Sequence, residues 1–425
     1  MKFEPKLYHL SNGIPVILDD FDIATTLVKI EFYTGGRDET LEEYGITHFC
    51  EHILCKGTHR FQNQKARTDF LENKGGYVNA STGLTCIRFY GRIISENLPV
   101  LIDVLADQIN DSLFDEQKIE IERGTILDEF RRDFGKSESQ KHDFIEKTLF
   151  NRYVPNGVLV LGNKKNITSF TREQLLDFMK RRFSADNCQI IISGKIDNQE
   201  EIIQQLEKLF INMSTHKVCQ NKSLKYTPAV AHQSRDEMKN VRMVIVFPNL
   251  YPDDYEHLNI NRAVGMFEHY LAQELREVLR HQNGLVYSLS TCCFGNDDCC
   301  VNGFETETSP QNIEKLVALM AKTAYRVYTE NPITSEDIIR FKNADKLRDA
   351  MFLESAERRN SQISGFLRDF NQVYNFYADK QSIDNIKLED VIKYSRGYFD
   401  GPMSIITQGA DFNVDLKQIW IDNFK

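Results

Sequence analysis

Asn97-Leu98-Pro99-Val100-Leu101-Ile102-Asp103-Val104-Leu105 returns far along the chain as Asn312-Ile313-Glu314-Lys315-Leu316-Val317-Ala318-Leu319-Met320. The two stretches agree at every apolar helical position except Val100. The likeness extends outward. Leu175 to Gly194 reads as a helix ending near Phe183 and then the strand Ile190-Ile191-Ile192. It matches Val391 to Gly409, with Phe399 and Ile405-Ile406 in the corresponding places. Val28-Lys29-Ile30-Glu31-Phe32 likewise parallels Met243-Val244-Ile245-Val246-Phe247. Two halves alike in pattern imply one α+β unit built twice. The expected division is an N-terminal domain over 1–213, a linker over 214–239 and a C-terminal domain over 240–425. The linker is polar, lacks periodicity and contains Pro228.

A chain of 425 residues has ample material for two cores. Its 41% hydrophobic and 27% charged residues are ordinary for a globular protein, and no apolar run reaches the ~18 residues of a membrane span. The net charge of −10 argues against nucleic acid and anionic membranes as partners. The N-terminus runs quickly into Leu10-Ser11-Asn12-Gly13-Ile14-Pro15-Val16-Ile17-Leu18, a strand-turn-strand pattern that leaves no room for a leader peptide. Nine cysteines outside any short secreted framework point to a reducing compartment. The expected location is cytoplasmic, with the mitochondrial matrix or periplasm as alternatives. Cys292-Cys293 and Cys299-Cys300 flank Phe294-Gly295-Asn296-Asp297-Asp298, which reads as a hairpin turn. Adjacent strand residues face opposite sides, so only two of these four thiols could converge, and ordinary strand cysteines are the simpler reading.

Chemistry concentrates in His48-Phe49-Cys50-Glu51-His52, an H-x-x-E-H pattern on an expected helix and the inverse of a zinc-peptidase signature. His48 and His52 are i and i+4, so both imidazoles leave one helical face and can grip one cation. Glu51 lies close enough on that face to reach a metal-held water without ligating the metal. The bland alternative is two solvated histidines with an acid between them. A second helix is expected over Asp115 to Asp133, capped by Asp115, with Ile119 and Ile126 on its inward side. Glu122 and Glu129 share that side, and buried carboxylates want a cation. A merely solvated charged stripe is the competing reading. Gly124 in mid-helix costs ~1 kcal/mol against Ala.

Gly45-Ile46-Thr47-His48-Phe49-Cys50-Glu51-His52-Ile53-Leu54-Cys55-Lys56-Gly57-Thr58 resembles the active-site block of the pitrilysin, insulin-degrading enzyme and mitochondrial processing peptidase family. The resemblance implies Glu129 as third zinc ligand and Glu122 as its supporting neighbour. It implies Asn79, Ala80, Ser81 and Thr82 as the substrate-binding edge strand. Within Arg280-His281-Gln282-Asn283-Gly284-Leu285-Val286-Tyr287 it implies Arg280 and Tyr287 as groups that meet the substrate. Cys50 and Cys55 stand where the family usually has larger apolar residues, and both can pack as small hydrophobes. The glycine-rich segment of some members is reduced to Gly265 within Ala263-Val264-Gly265-Met266-Phe267, which argues against presequence capture of the mitochondrial type.

The resemblance further implies two homologous α/β/β/α sandwich domains in a processing-peptidase-like fold. One Zn²⁺ per chain is expected, because no second H-x-x-E-H follows residue 52 and the second half has Lys342 and Asp349 where the first has Glu122 and Glu129. The expected activity is zinc-dependent endopeptidase cleavage of peptides or short unfolded segments, with Glu51 as general base. In two-half family members the Arg/Tyr block faces the zinc of the opposite half. A chain of one half-molecule is therefore expected to form a homodimer with a closed chamber, Arg280 and Tyr287 acting in trans. The alternatives are a heterodimer subunit inactive alone and a non-catalytic structural homologue.

Overall fold

The computed structural model describes residues 2–134, 137–150, 157–158, 160–220, 225–252, 254–296 and 299–425. The chain forms two compact units. The first contains β1 (Lys6–His9), β2 (Pro15–Asp20), β3 (Thr25–Phe32), β4 (Gly76–Thr82) and β5 (Ile87–Ile94). A short ribbon, β6 (Gly157–Val158) with β7 (Gly162–Asn163), precedes β8 (Cys188–Gly194). The main sheet runs β1-β2-β8-β3-β5-β4. Every residue of β8 is buried, as a run centred on Ile190-Ile191-Ile192 requires of a strand covered on both faces. The alternating run from Tyr77 to Tyr90, which reads as one strand, is a hairpin in which Asn79 opposes Tyr90 and Ala80 opposes Phe89. That places β4 at the sheet edge.

Helices α1 (Ile46–Leu54), α2 (Gln64–Glu72), α3 (Leu98–Asn110), α4 (Glu116–Phe134), α5 (Ser137–Leu149), α6 (Lys164–Ser169), α7 (Arg172–Arg182) and α8 (Gln199–Phe210) follow in chain order. Phe49, Leu101, Leu105, Phe178 and Leu206 from four of them share a core with Val28, Ile30, Phe32 and Phe89 of the sheet. α4 runs unbroken through Gly124, and Asp115 caps it by accepting the Lys118 N–H at 2.9 Å.

The second unit contains β9 (Val230–Ser234), β10 (Val241–Pro248), β11 (Leu289–Asn296), β12 (Cys299–Thr308) and β13 (Ser404–Gly409). Its sheet, β9-β13-β10-β12-β11, repeats the order β2-β8-β3-β5-β4 of the first. Even the single parallel pair recurs, β2 with β8 and β9 with β13. α9 (Leu258–Arg276), α10 (Ile313–Glu330), α11 (Ser335–Leu353) and α12 (Ala356–Phe370) follow the order of α1, α3, α4 and α5. The architecture is α+β in two units of matching sheet order.

The units depart from a linear division at 214–239. Lys141–Tyr153 belongs to the second unit and Asp349–Phe376 to the first. The physical reason is that each sheet has a second face to cover, rich in buried polar groups in the first (Asp19, Lys29, Glu31, Gln189) and apolar in the second. α12 lies across β8, β3 and β2. Ile145 and Leu149 of α5 pack with Val244, Val246, Val301 and Ile406. Arg359 of α12 is wholly buried, with its Nε 2.7 Å from Asp19 Oδ2 and its guanidinium 3.8 Å from the centre of the Phe21 ring.

The expected linker is not all loop, because β9 lies inside it. An edge strand pairs on one side only, and Val-Ala-His-Gln-Ser alternates between exposed and half-buried, which hides its periodicity. Residues 221–224 of the linker, and Asp297 and Asp298 of the expected turn, lie outside the described residues. Cys292 opposes Gly303 and Cys300 opposes Gly295 across the β11–β12 ladder, while Cys292 and Cys299 face the α5 cluster. α9 begins at Leu258, and Arg280 sits in the π-helical turn over Glu277–Gln282 that continues it. Among the described residues, no helix is long and apolar enough to cross a membrane.

Candidate metal centre

α1 begins at Gly45, whose φ of 95° only glycine adopts freely and whose added Cβ would lie 2.5 Å from the Leu161 carbonyl oxygen. No side chain of the N-cap residue itself satisfies the first turn. The buried Glu39 carboxylate does so instead, accepting the N–H groups of Gly45 and Thr47 at 2.9 Å each. Burial pushes the Glu39 carboxyl up to about 8, and those bonds oppose the rise. Phe49, Cys50 and Ile53 anchor the inner face of the helix in the core. Cys50 and Cys55 both fit: Cys50 is fully buried, and Cys55 Sγ accepts Gln108 Nε2 at 3.1 Å.

This anchoring turns His48 and His52 toward α4, their ring centres 4.6 Å apart. Glu129 Oε2 lies 3.8 Å from His48 Nε2 and 3.5 Å from His52 Nε2. One ligand atom from each residue falls within 4.8 Å of the others, and among the described residues this is the one such set. A tetrahedral zinc with ligands at about 2.1 Å separates its ligand atoms by roughly 3.4 Å, so the spacing suits that ion.

His52 Nδ1 is 3.0 Å from Glu122 Oε2, and Lys56 Nζ is 2.9 Å from Glu122 Oε1. A proton on Nδ1 facing Glu122 leaves Nε2 with its lone pair toward Glu129, the tautomer a metal ligand needs. Burial pushes the Glu122 carboxyl up, but the His52 and Lys56 hydrogen bonds outweigh it and hold it below the usual range. Burial, with the neighbouring His52, drives the His48 imidazole down to about 3, so it stays neutral and its lone pair remains available. His48 Nδ1 is buried with no hydrogen-bond partner among the described residues. The residues therefore fit a zinc ion.

Glu51 stands beside this set. Its Oε2 accepts the Thr82 hydroxyl at 2.5 Å, which ties the helix to the edge strand. Burial raises the Glu51 carboxyl above the usual range, and the Thr82 bond pulls it back in part. Asn79 is exposed on β4, and its Oδ1 accepts the N–H of Ala80 at 2.9 Å. Ser81 follows on the same strand. Arg280 and Tyr287 meet each other in the second unit, outside this cluster, with the guanidinium 5.2 Å from the ring centre. Tyr287 is 85% exposed, unusual for a large aromatic side chain.

Sequence reasoning missed three contacts. Lys56 continues the i, i+4 series of His48 and His52, a signal that was there to read. Arg132 reaches Glu129 Oε1 at 3.5 Å from one turn further along α4. Thr82 donating to Glu51 left no mark in the sequence, because it depends on how the β4–β5 hairpin sits beside α1.

Comparison with known proteins agrees. Residues 17–157 match the insulinase model of peptidase family M16, and residues 169–344 match the model of the M16 inactive domain. An uncharacterized zinc protease of Rickettsia felis is 25% identical over 98% of this chain and its own full length. A probable mitochondrial-processing peptidase subunit beta of Arabidopsis thaliana is 30% identical over 57% of this chain, a match spanning 46% of that protein. In fold, a protease from Helicobacter pylori superposes with a TM-score of 0.80 at 16% identity, covering 96% of this chain and all of the other. An M16 inactive domain from Pseudomonas fluorescens gives 0.81 at 14% identity, covering 96% and 98%. On the family models, the relatives and the fold together, the chain belongs to the pitrilysin-type zinc metallopeptidases, peptidase family M16.

Proposed function

We propose that this protein is a zinc-dependent endopeptidase acting on peptides or short unfolded segments. The observation that carries the reading is the convergence of His48, His52 and Glu129 within 4.8 Å, with Glu51 held beside them by Thr82. Zinc bound by these three residues supplies Lewis-acid chemistry, polarising the scissile carbonyl and making water a stronger acid. Glu51 takes the proton of the attacking water as its oxygen bonds to the carbonyl carbon. It then delivers that proton to the amine as the C–N bond breaks. Its raised affinity for protons suits both steps. Glu122 and Lys56 hold the His52 ring in place, so the ligand set is fixed before substrate arrives.

The substrate main chain pairs with the free edge of β4, which gives affinity with little sequence preference. For it to do so, the Asn79 side chain must yield the Ala80 N–H it now covers. We assign Arg280 and Tyr287 to donation toward the substrate carbonyl or the developing oxyanion. The exposure of Tyr287 supports a ligand arriving from outside its own unit, and a homodimer with each pair acting on the partner's zinc accommodates this.

Elemental analysis and cleavage of a quenched peptide by wild type and by Glu51→Gln test the core reading. Stoichiometric zinc in both, with cleavage by wild type alone, is the expected result. Absence of zinc, or equal cleavage, overturns it. Mixing Arg280→Ala chains with Glu51→Gln chains tests trans action, which requires activity to return in the mixture.

A further inference from the structure

α12 covers the face of the first sheet that α1 and α3 leave open. Val28, Ile30 and Phe32 of β3 face the core, whereas Lys29 and Glu31 face α12. Between that helix and the sheet is a cavity of about 410 Å³. Lys29 of β3, with Arg88 and Tyr90 of β5, forms its floor, and Tyr77 and Ser81 of the edge strand form one wall. α12 presents Ser361, Ser364, Gly365 and Arg368 to it along one helical face. Small residues keep the space open. A Cβ added at Gly365 would meet nothing nearer than Arg368 Nη2 at 3.8 Å.

The charges here are unevenly matched. Glu31, fully buried under the floor, receives Arg88 Nε at 2.5 Å and Gln189 Nε2 at 2.7 Å, with Arg368 Nη1 at 3.4 Å. Glu357 at the rim pairs with Arg92 at 2.7 Å. Lys29 is only 7% exposed, and its one described hydrogen bond is to Ser364 Oγ at 3.3 Å. An ammonium has three donors, and leaving them short of acceptors inside a protein is costly. Burial lowers this one to about 8, so it still carries its charge at neutral pH. Arg88 is paired with Glu31, Arg368 with Glu31 and Asp369, and Glu357 with Arg92, so Lys29 is the lining charge with no described ion pair.

We propose that this cavity is a substrate subsite for an acidic side chain, Glu or Asp, of a peptide paired along β4, its carboxylate received by Lys29. The proposal rests on the peptidase reading above. Tyr77 and Ser81, four residues apart, share the cavity side of β4, and side chains of an added strand fall on the same two faces with a period of two. Every second side chain of the bound peptide therefore points toward the cavity. Ser81 adjoins Thr82, which bonds Glu51 from the opposite face of the same strand, so the cavity and Glu51 flank one strand end from its two sides. A free inorganic anion would satisfy the same charges, and the test separates the two.

Calorimetric binding to the Glu51→Gln chain, with peptides carrying Glu or Gln at each position in turn, decides it. At one register the Glu peptide binds about tenfold tighter, the worth of one charge-assisted hydrogen bond. That preference disappears in Lys29→Met and survives in Lys29→Arg. Gly365→Leu fills the cavity without altering charge and abolishes the preference as well. Equal binding of Glu and Gln peptides at every position overturns the proposal. So does Lys29-dependent binding of inorganic phosphate with no peptide preference, which would mark a free-anion site. Wild-type cleavage of a neutral peptide without any Glu preference sinks the subsite alone. A Lys29-dependent preference in binding with no cleavage by wild type sinks the peptidase reading alone.

Discussion

Each unit sends the chain from a central strand, β3 or β10, into a helix and then into an outer hairpin. In the first, that helix is α1, and its buried surface includes His48 beside half-buried Glu51 and His52. In the second it is α9, whose buried face is Ala263, Val264, Met266, Phe267, Leu271, Ala272 and Leu275. The next long helices differ in the same sense. α4 turns Glu122 and Glu129 toward the histidines, while in α11 Lys342 donates to the carbonyl oxygens of Asp384 and Ile386. One copy of the scaffold accepts the cost of buried polar groups to build a site, and the other has converted the same positions into packing and capping.

Four experiments can break or sharpen that contrast. Glu51→Gln should lower the rate of peptide cleavage by about 10³-fold, within the usual range for losing a general base, with zinc content unchanged. Residual activity near wild type would mean the first unit is no more catalytic than the second. Arg359→Met should destabilise the first unit by about 3–5 kcal/mol in urea unfolding, because it strands Asp19 without its buried partner. A loss below ~1 kcal/mol would show that the other contacts of α12 hold it without the Asp19 pair.

The second unit has a partly buried acid of its own. Glu268 is half-buried with its Oε1 shielded from solvent, and burial pushes the carboxyl up to about 7 against the opposing pull of the Tyr398 hydroxyl. A carboxyl raised on folding contributes stability that is complete below its unfolded value near 4.5 and declines as pH climbs through 7. Stability of the second unit should therefore fall by on the order of 3 kcal/mol across that window, and Glu268→Gln should flatten the profile. An unchanged slope in the variant would dismiss Glu268 as the cause. Smallest is Glu122→Gln, expected to weaken zinc binding by about 10–100-fold in chelator competition. No change would separate Glu122 from the ligand set.

Much of this was legible in the sequence, for reasons that differ residue by residue. The duplication could be read because helix and strand periodicities survive divergence in Leu98–Leu105 and Ile313–Met320, which became α3 and α10. His48 and His52 could be read because i, i+4 spacing fixes direction before any tertiary contact exists. Glu129 could not be singled out by pattern, since its side chain is 26% exposed on a helix rich in charge, and the family resemblance supplied it. Arg359 reads as a surface charge and is wholly buried, because its partner Asp19 lies 340 residues away. β9 escaped because a polar edge strand resembles a linker. What the sequence concealed was in each case a long-range pairing, which local periodicity does not encode.

The exchange of helices bears on biosynthesis. Asp19 lies on the face that Ala356–Phe370 seals, yet its buried partner Arg359 is translated 340 residues after it. Until that segment is made, one face of the first sheet has no cover, so completion of the first unit must wait for a long-range contact. A chain cut short before residue 356 would hold His48, His52 and Glu129 but leave that sheet unfinished.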